Sequence, residues 1–411
     1  MSETKMKVQM PSDAAFILNK LNEGGHEAYI VGGCVRDSIL GRIPQDWDIT
    51  TSALPEETKT FFDHTFDTGI QHGTITVVLH KENYEVTTYR VDGEYADCRH
   101  PDEVSFTKNL TEDLLRRDFT MNAIAYHPNE GFRDPFHGQE DIAAEIIRGV
   151  GDPPKRFQED ALRMLRCVRF AAQLGFAIEP ETWAALCANT ALIQKISVER
   201  IREELEKLWL SPYKEKMSLL WESGLLAQID PILSARLIGR SQTILDEISA
   251  CPKDALLRWA VVLQDYTPDE AKNFLKGMKF DNHTLKRVCL LLEQLKNDVP
   301  VEAYPLRKLA GNIGEDAMGE LLTLQSILRP DSPHEESKAL FEKILTAGDC
   351  LTLKTMELSG KDLMAMGAPH GKVLGEVLAE LLDMVLQVPE TNKKEILSDK
   401  ALSLLKEKGL I

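Results

Sequence analysis

The sequence has no apolar run near the roughly 18 residues that a membrane-crossing helix needs, so a spanning protein is not expected. Its opening residues, MSETKMKVQMPSD, contain no apolar stretch of the kind found in signal peptides. Cysteine is sparse: seven residues, odd in number and scattered, with no CxxC. That pattern indicates neither a disulfide framework nor a zinc site, and a reducing cytoplasm fits best. Positive charge is also short, with 48 Lys and Arg against 65 Asp and Glu and a formal charge of −17. Such a balance excludes a protein that coats nucleic acid over its whole surface but permits a confined basic groove on an acidic body. What remains is globular in character, at 43% hydrophobic and 27% charged residues. At 411 residues the chain is too long for one ordinary core, and several domains are expected.

The stretch from Ala28 to Thr51 carries the first chemistry. An apolar strand, Ala28 to Val31, runs into Gly32-Gly33 and a short helical turn bearing Arg36; the chain then returns as a strand expected to start at Asp46-Trp47-Asp48. Alternation on a strand points Asp46 and Asp48 one way and sends Trp47 and Ile49 into the protein. Two adjacent carboxylates repel unless a cation lies between them, and oxygen ligands of this kind suit Mg²⁺. The glycines permit close backbone approach, and the helix start beyond them offers free N–H groups to a phosphate. A solvated strand end and an ordinary turn explain the same residues without a ligand.

Elsewhere in the first 150 residues the chain mixes helix and strand. Ser12-Asp13 opens a helix with Phe16, Ile17 and Leu21 on one face, closed by Gly24-Gly25. Thr74–His80 and Tyr84–Arg90 read as two strands joined by a polar turn at Lys81 to Asn83. Glu85 on the second is either a solvent-facing strand residue or a third carboxylate near the Asp pair. Residues 92–106 have no sustained period and read as a loop. Thr111 to Tyr126, with Arg116-Arg117-Asp118-Phe119-Thr120-Met121-Asn122-Ala123, suits a helix under a ligand: Arg117 facing phosphate, Asp118 taking a ribose hydroxyl or capping the helix. Pro-containing turns mark a boundary near residue 150, and from about residue 155 the chain reads as helical, with no further strand pattern.

Glu159 to Phe170 is the second informative stretch. Ala161, Met164, Leu165, Val168 and Ala172 make one helical face, while Asp160 and Arg163 are neighbours on the other and Arg166 and Arg169 continue the stripe. One reading is an i,i+3 ion pair and a solvated arginine face. The other is a protein edge for a nucleobase. A carboxylate accepts and a guanidinium donates, so a side-by-side Asp–Arg pair satisfies the amino group and ring acceptor of cytosine or adenine. Uracil and guanine would leave buried polar groups unpaired, which is what gives strong rejection.

These residues carry a family resemblance. The 159–170 stretch resembles the base-selecting motif of class II tRNA nucleotidyltransferases, the CCA-adding enzymes, within the polymerase-β-like superfamily. Gly-Gly-Cys-Val-Arg-Asp with Asp46-x-Asp48 resembles their metal motif, Arg-Arg-Asp-Phe-Thr-Met-Asn-Ala their ribose-and-phosphate motif, and Ile196-Ser197-Val198-Glu199-Arg200 a further structural motif. The resemblance covers about residues 25–210, in order. It implies an α+β fold: a catalytic head with a small mixed or antiparallel sheet (1–150), then an all-α neck (151–210), body (211–340) and tail (341–411). It implies Mg²⁺ on Asp46 and Asp48, and nucleotide contacts from Gly33, Arg36, Arg117, Asp160, Arg163, Arg166 and Arg169. The activity implied is template-independent addition of C, C and A to the 3′ end of tRNA from CTP and ATP. A-only addition and bacterial poly(A) polymerase activity are the alternatives. Partners would be the tRNA acceptor end and the two nucleotides, with no membrane and with a homodimer as a permitted assembly. The 92–106 loop would then act as a lever on Asp160 and Arg163. No His-Asp dipeptide occurs, against an appended phosphohydrolase domain. One helix of the remainder is expected at Lys372 to Gln387.

Overall fold

The computed structural model describes residues 7–93 and 104–410. Its contacts divide the chain into two compact units, Met1–Leu245 and Asp246–Ile411. The fold is α+β, with the sheet in the first unit and helices throughout the second.

The first unit begins with α1 (Ser12–Glu23) and β1 (Ala28–Val31), followed by α2 (Gly33–Ile39), β2 (Ile49–Thr51), α3 (Pro55–Phe61), β3 (Thr65–Gly69), β4 (Thr74–Leu79) and β5 (Glu82–Thr88). The short strands β6 (Arg90–Asp92) and β7 (Val104–Phe106) precede α4 (Leu110–Leu115), β8 (Ala125–His127) and β9 (Gly131–Arg133). The main sheet has seven strands in the order β3-β4-β5-β2-β1-β8-β9. Only β2 and β5 pair in parallel; every other neighbour is antiparallel, so the sheet is mixed. The β4–β5 hairpin closes through His80 and Lys81, both at positive φ, the backbone that a two-residue turn between twisted strands requires. Helix α1 buries Ala14, Ile17, Leu18 and Leu21 against β1 and β2, each Ile or Leu removing enough apolar surface for ~1.5–3 kcal/mol. Phe16, expected on that face, is instead 46% exposed.

Several expectations need correction. The strand carrying the acid pair starts at Ile49, so Asp46 and Asp48 sit in the segment leading into it, and Trp47 is only half-buried. Residues 104–106 are not loop: β7 pairs antiparallel with β6, three residues too short for a period to be visible. The rest of the expected lever, residues 94–103, lies outside the described residues, as does Cys98. The 111–126 stretch is not one helix. It breaks after α4 at Arg116, makes a 3-10 turn at Thr120–Asn122 and enters β8. Beyond residue 150 one more strand occurs: β11 (Ala177–Ile178) pairs in parallel with β10 (Ile146–Ile147), which follows α5 (Gly138–Ala143).

After β10 come α6 (Pro153–Glu159), α7 (Leu162–Leu174), α8 (Pro180–Asn189, following β11) and α9 (Val198–Trp209). The helical pattern through Glu159 to Phe170 is interrupted at Asp160, whose backbone is extended. Its carboxylate accepts from the Leu162 N–H at 3.0 Å, so the acid ends one helix and starts the next. Helix α9 has the expected apolar stripe, with Ile201, Leu205 and Leu208 buried, and packs on α7.

In the second unit, helices such as Ala255–Val262, Pro268–Gly277 and Asn282–Gln294 start at side-chain caps from Asp254, Thr267 and Asp281. The expected helix at Lys372–Gln387 is present and buries Val377, Leu381, Val385 and Leu386. With Lys394–Glu407 it encloses a core that includes Leu358, Leu363, Leu397, Ala401 and Leu405. Among the described residues, no helix is long and apolar enough to cross a membrane.

Candidate active site

Strand β1 delivers the chain to Gly32, whose φ of 82° and ψ of −129° suit glycine alone. A Cβ there would stand 2.9 Å from a terminal nitrogen of Arg117 and would displace that guanidinium. Gly33 then opens α2. Its ordinary φ and open surroundings make it the less demanding of the pair.

Beside Gly32 lies the acid pair. The Asp48 carbonyl accepts from the Val31 N–H at 3.0 Å, extending the β1–β2 ladder one residue past the strand and fixing where Asp48 stands. Asp48 is exposed as a residue, but desolvation by the chain packed around its carboxyl pushes that group above its ordinary value, with Arg117 opposing the shift and Asp46 adding to it. In the parallel register of β2 and β5, Ile49 faces Val86, which brings Glu85 level with Asp48. Glu85, also exposed as a residue, is raised by partial desolvation and then by repulsion from Asp48 and Asp46. Three carboxylates thus share one field with too little positive charge. Among the described residues no three His, Cys, Asp or Glu side chains form a finished metal cage. The donor set nevertheless fits Mg²⁺, which typically takes one or two carboxylates and completes its shell with water and substrate phosphate.

Among the described residues, Arg117 is the cation that acts on Asp48. Its nearest acid is Asp113, at 3.9 Å, and burial lowers its pKa although Asp113 and Asp48 oppose the shift. The Arg117 Nε is buried without a hydrogen-bond partner among the described residues. An orphaned guanidinium donor beside an acid cluster and a glycine turn is the arrangement a triphosphate would complete. Asp113 itself is fully buried, accepts from Thr50, the Arg90 N–H and Arg116, and thereby ties α4 to β2 and β6.

The other arginines are committed to protein partners. Arg36 donates to Asp37 at 2.9 and 2.8 Å and to Asn122 at 2.7 Å. Arg163 donates to Glu159 at 2.9 Å and to the carbonyls of Arg156 and Arg116 at 3.2 and 2.8 Å. Arg166 grips Asp118 through two nitrogens, at 2.8 and 2.7 Å. Arg169 donates to Glu204 at 2.8 Å and Gln173 at 2.6 Å and lies 3.6 Å over the Phe170 ring. Burial alone would raise the Asp118 carboxyl, but Arg166, Asn122 and Arg163 outweigh it and hold it well below the usual range.

Two expectations change here. The neck stripe is not a solvated face, since Arg163 and Arg169 keep only 11% and 9% side-chain exposure. Nor do Asp160 and Arg163 pair with each other, because the helix breaks between them. Asp160 is held by Arg200 at 2.8 Å, 40 residues on, and Arg163 by Glu159. Arg200 and Glu204 are one turn apart on α9, so that helix clamps both the acid and the arginines of the stripe. Their i,i+4 spacing was visible in the sequence, but nothing there said which residues they meet. Asp118 does not cap a helix; its Oδ1 accepts from the Phe119 N–H and from Asn122.

A mixed sheet presenting an acid pair beside a glycine turn and an underpaired arginine, backed by a charged helix, defines a nucleotidyltransferase. Family models agree: that of the poly A polymerase head domain matches residues 28–148, one described as "Probable RNA and SrmB- binding site of polymerase A" matches 175–237, and one of tRNA nucleotidyltransferase domain 2 matches 253–401. The chain is 39% identical over 390 residues to the CCA-adding enzyme of Geobacillus sp. (strain WCH70), covering 92% of this chain and 93% of that one. It is 36% identical over 388 residues to that of Enterococcus faecalis (strain ATCC 700802 / V583), covering 94% of each. Among solved structures, the Bacillus stearothermophilus CCA-adding enzyme in complex with CTP superposes with a TM-score of 0.81 at 34% identity, over 97% of this chain and 100% of that one. The chain belongs to the family of CCA-adding enzymes.

Proposed function

We propose that the protein adds C, C and A stepwise to the 3′ end of tRNA, drawing on CTP and ATP and using no nucleic-acid template. The observation that carries this reading is the contrast in charge pairing within the first unit. Asp46, Asp48 and Arg117 lack sufficient partners, whereas the residues proposed to read the base are held in place by protein contacts. The near full-length similarity to proteins named CCA-adding enzyme favours complete CCA addition over A-only addition or poly(A) synthesis.

In this reading Asp46 and Asp48 hold Mg²⁺, with Glu85 adding negative charge beside them. The metal, when bound, acidifies the RNA 3′-hydroxyl and screens the triphosphate. Arg117 faces the phosphates from its place beside Gly32, and its unfilled Nε gives it a reason to do so. Gly33 and Arg36 frame the same end of the nucleotide. Asp118 accepts from the ribose. Asp160 accepts the exocyclic amino group of C or A, and Arg163 donates to the neighbouring ring acceptor. Asp160 Oδ1 accepts from the Leu162 N–H and one Arg200 nitrogen and Oδ2 from the other, which leaves a lone pair on Oδ2 for the base. Arg166 and Arg169 line the same helix face. We assign residues 1–150 to the catalytic head, 151–210 to the neck, and 211–340 and 341–411 to a body and tail that hold the tRNA.

Incubation with tRNA transcripts ending before, within and after CC, each nucleotide offered separately, tests the proposal. CTP should be taken up twice and ATP once, in that order, with UTP and GTP refused. Uptake of ATP alone on a CC end, or runs of A on any end, would replace it with one of the alternatives.

A further inference from the structure

We infer that Asn122 is a positioning residue that couples the phosphate end of the nucleotide site to its sugar end, and thereby sets the preference for ribonucleotides over deoxyribonucleotides. The inference rests on the proposed role of Asp118 as ribose acceptor. Four side chains form one line: Arg36 donates to Asn122 Oδ1 at 2.7 Å, Asn122 Nδ2 donates to Asp118 Oδ1 at 3.0 Å, and Asp118 Oδ2 takes Arg166 at 2.8 Å. Asn122 is only 6% exposed, and both ends of its amide are used. The order is cation, amide, anion, cation. An amide alone among side chains of this size presents an acceptor to the guanidinium and a donor to the carboxylate.

The line also joins elements from different parts of the unit. Arg36 stands on α2, directly after the glycine turn; Asn122 ends the 3-10 turn before β8; Arg166 stands on α7. Phe119 N–H and Asn122 fill Oδ1 and Arg166 holds Oδ2 through two nitrogens, so Asp118 is fixed in rotation and a 2′-hydroxyl meets it in one direction, at Oδ2 beside the Arg166 guanidinium. Without Asn122, Oδ1 loses the bond that ties it to α2, and Arg36 keeps Asp37 and the Phe170 ring but loses its hydrogen bond toward Asp118. The sugar reader then drifts relative to the phosphates while Asp160 and Arg163, held by Arg200 and Glu159, keep their places.

The experiment compares kcat/KM for CTP with dCTP, ATP with dATP, and CTP with UTP, in the wild type, Asn122→Ala, Asn122→Asp and Asp118→Ala. Asn122→Ala should erode the ribose preference at least about tenfold, the scale of a lost hydrogen bond to a charged group, while CTP over UTP changes less than about threefold. Asn122→Asp keeps the shape but sets carboxylate against carboxylate, and should erode the preference at least as much. Asp118→Ala should lose it as well, with Asn122→Ala adding little in the double variant. Loss in Asp118→Ala but full ribose preference in both Asn122 variants would overturn the inference and leave Asp118 as the sugar reader. Undiminished preference in Asp118→Ala would overturn that reading and the inference with it. A uniform fall for all nucleotides, paired with a lower melting temperature, would mark Asn122 as structural and likewise overturn it.

Discussion

The cleft around Asp48 and the helix behind it treat charge in opposite ways. Around Asp48, partial desolvation and repulsion leave exposed carboxylates with raised pKa values, and Arg117 has a buried nitrogen without a hydrogen-bond partner among the described residues. Along α7 every arginine has its acid: Arg163 with Glu159, Arg166 with Asp118, Arg169 with Glu204. An undercompensated region stores free energy that a cation and a polyphosphate release on binding. A compensated one resists rearrangement, which is what selecting a base by hydrogen-bond pattern demands. In the proposed reading, chemistry and choice are therefore built from the same residue types with different degrees of pairing.

The comparison breaks most visibly at the acids. Asp46→Ala or Asp48→Ala should lower nucleotide incorporation by about 10³-fold or more, with tRNA binding in a filter or gel-shift assay nearly unchanged. Persistent activity would remove the metal role. Next, Arg117→Ala should cost on the order of 10²-fold in kcat/KM for CTP and ATP alike, because a phosphate contact is blind to the base. A loss confined to one nucleotide would move Arg117 out of the phosphate site.

The paired side is tested through stability. Asp118 has its folded pKa held below the ordinary aspartate value of 3.8, so its ion pair stabilises the fold fully above that pH. The contribution fades as the pH falls below about 3.8 toward the depressed value. Asp118→Asn, which cannot titrate, should be less stable by roughly 2–4 kcal/mol in urea melts at neutral pH, with the gap constant down to about pH 5 and closing in stronger acid. A gap independent of pH would show that the charge is not what stabilises. The smallest effect concerns Arg200→Gln. It frees the Asp160 carboxylate and should relax discrimination against UTP and GTP by about tenfold with little change in tRNA affinity.

Much of this was legible in the chain. The β4–β5 hairpin, α9 and the Lys372–Gln387 helix each carry a period long enough to read, and the two separate motifs that hold Asp46, Asp48 and Arg117 are brought together by the fold. Elements of three residues, such as β7, are too short for any period. The break at Asp160 was hidden because no glycine or proline marks it; a tertiary pair with Arg200 overrides the helical pattern. Partners such as Glu204 and Asn122 were invisible for a different reason. Their importance lies in which distant groups they meet, and separations of 35 and 86 residues along the chain encode nothing local.

The most direct test is the misincorporation ratio, UTP over CTP on a tRNA lacking its last three nucleotides, measured for Asp160→Ala beside the wild type. The account predicts a rise of at least tenfold in that ratio, with pyrophosphate release still supported. An unchanged ratio would contradict it, because base choice would then reside somewhere other than the acid clamped between Arg200 and the start of α7.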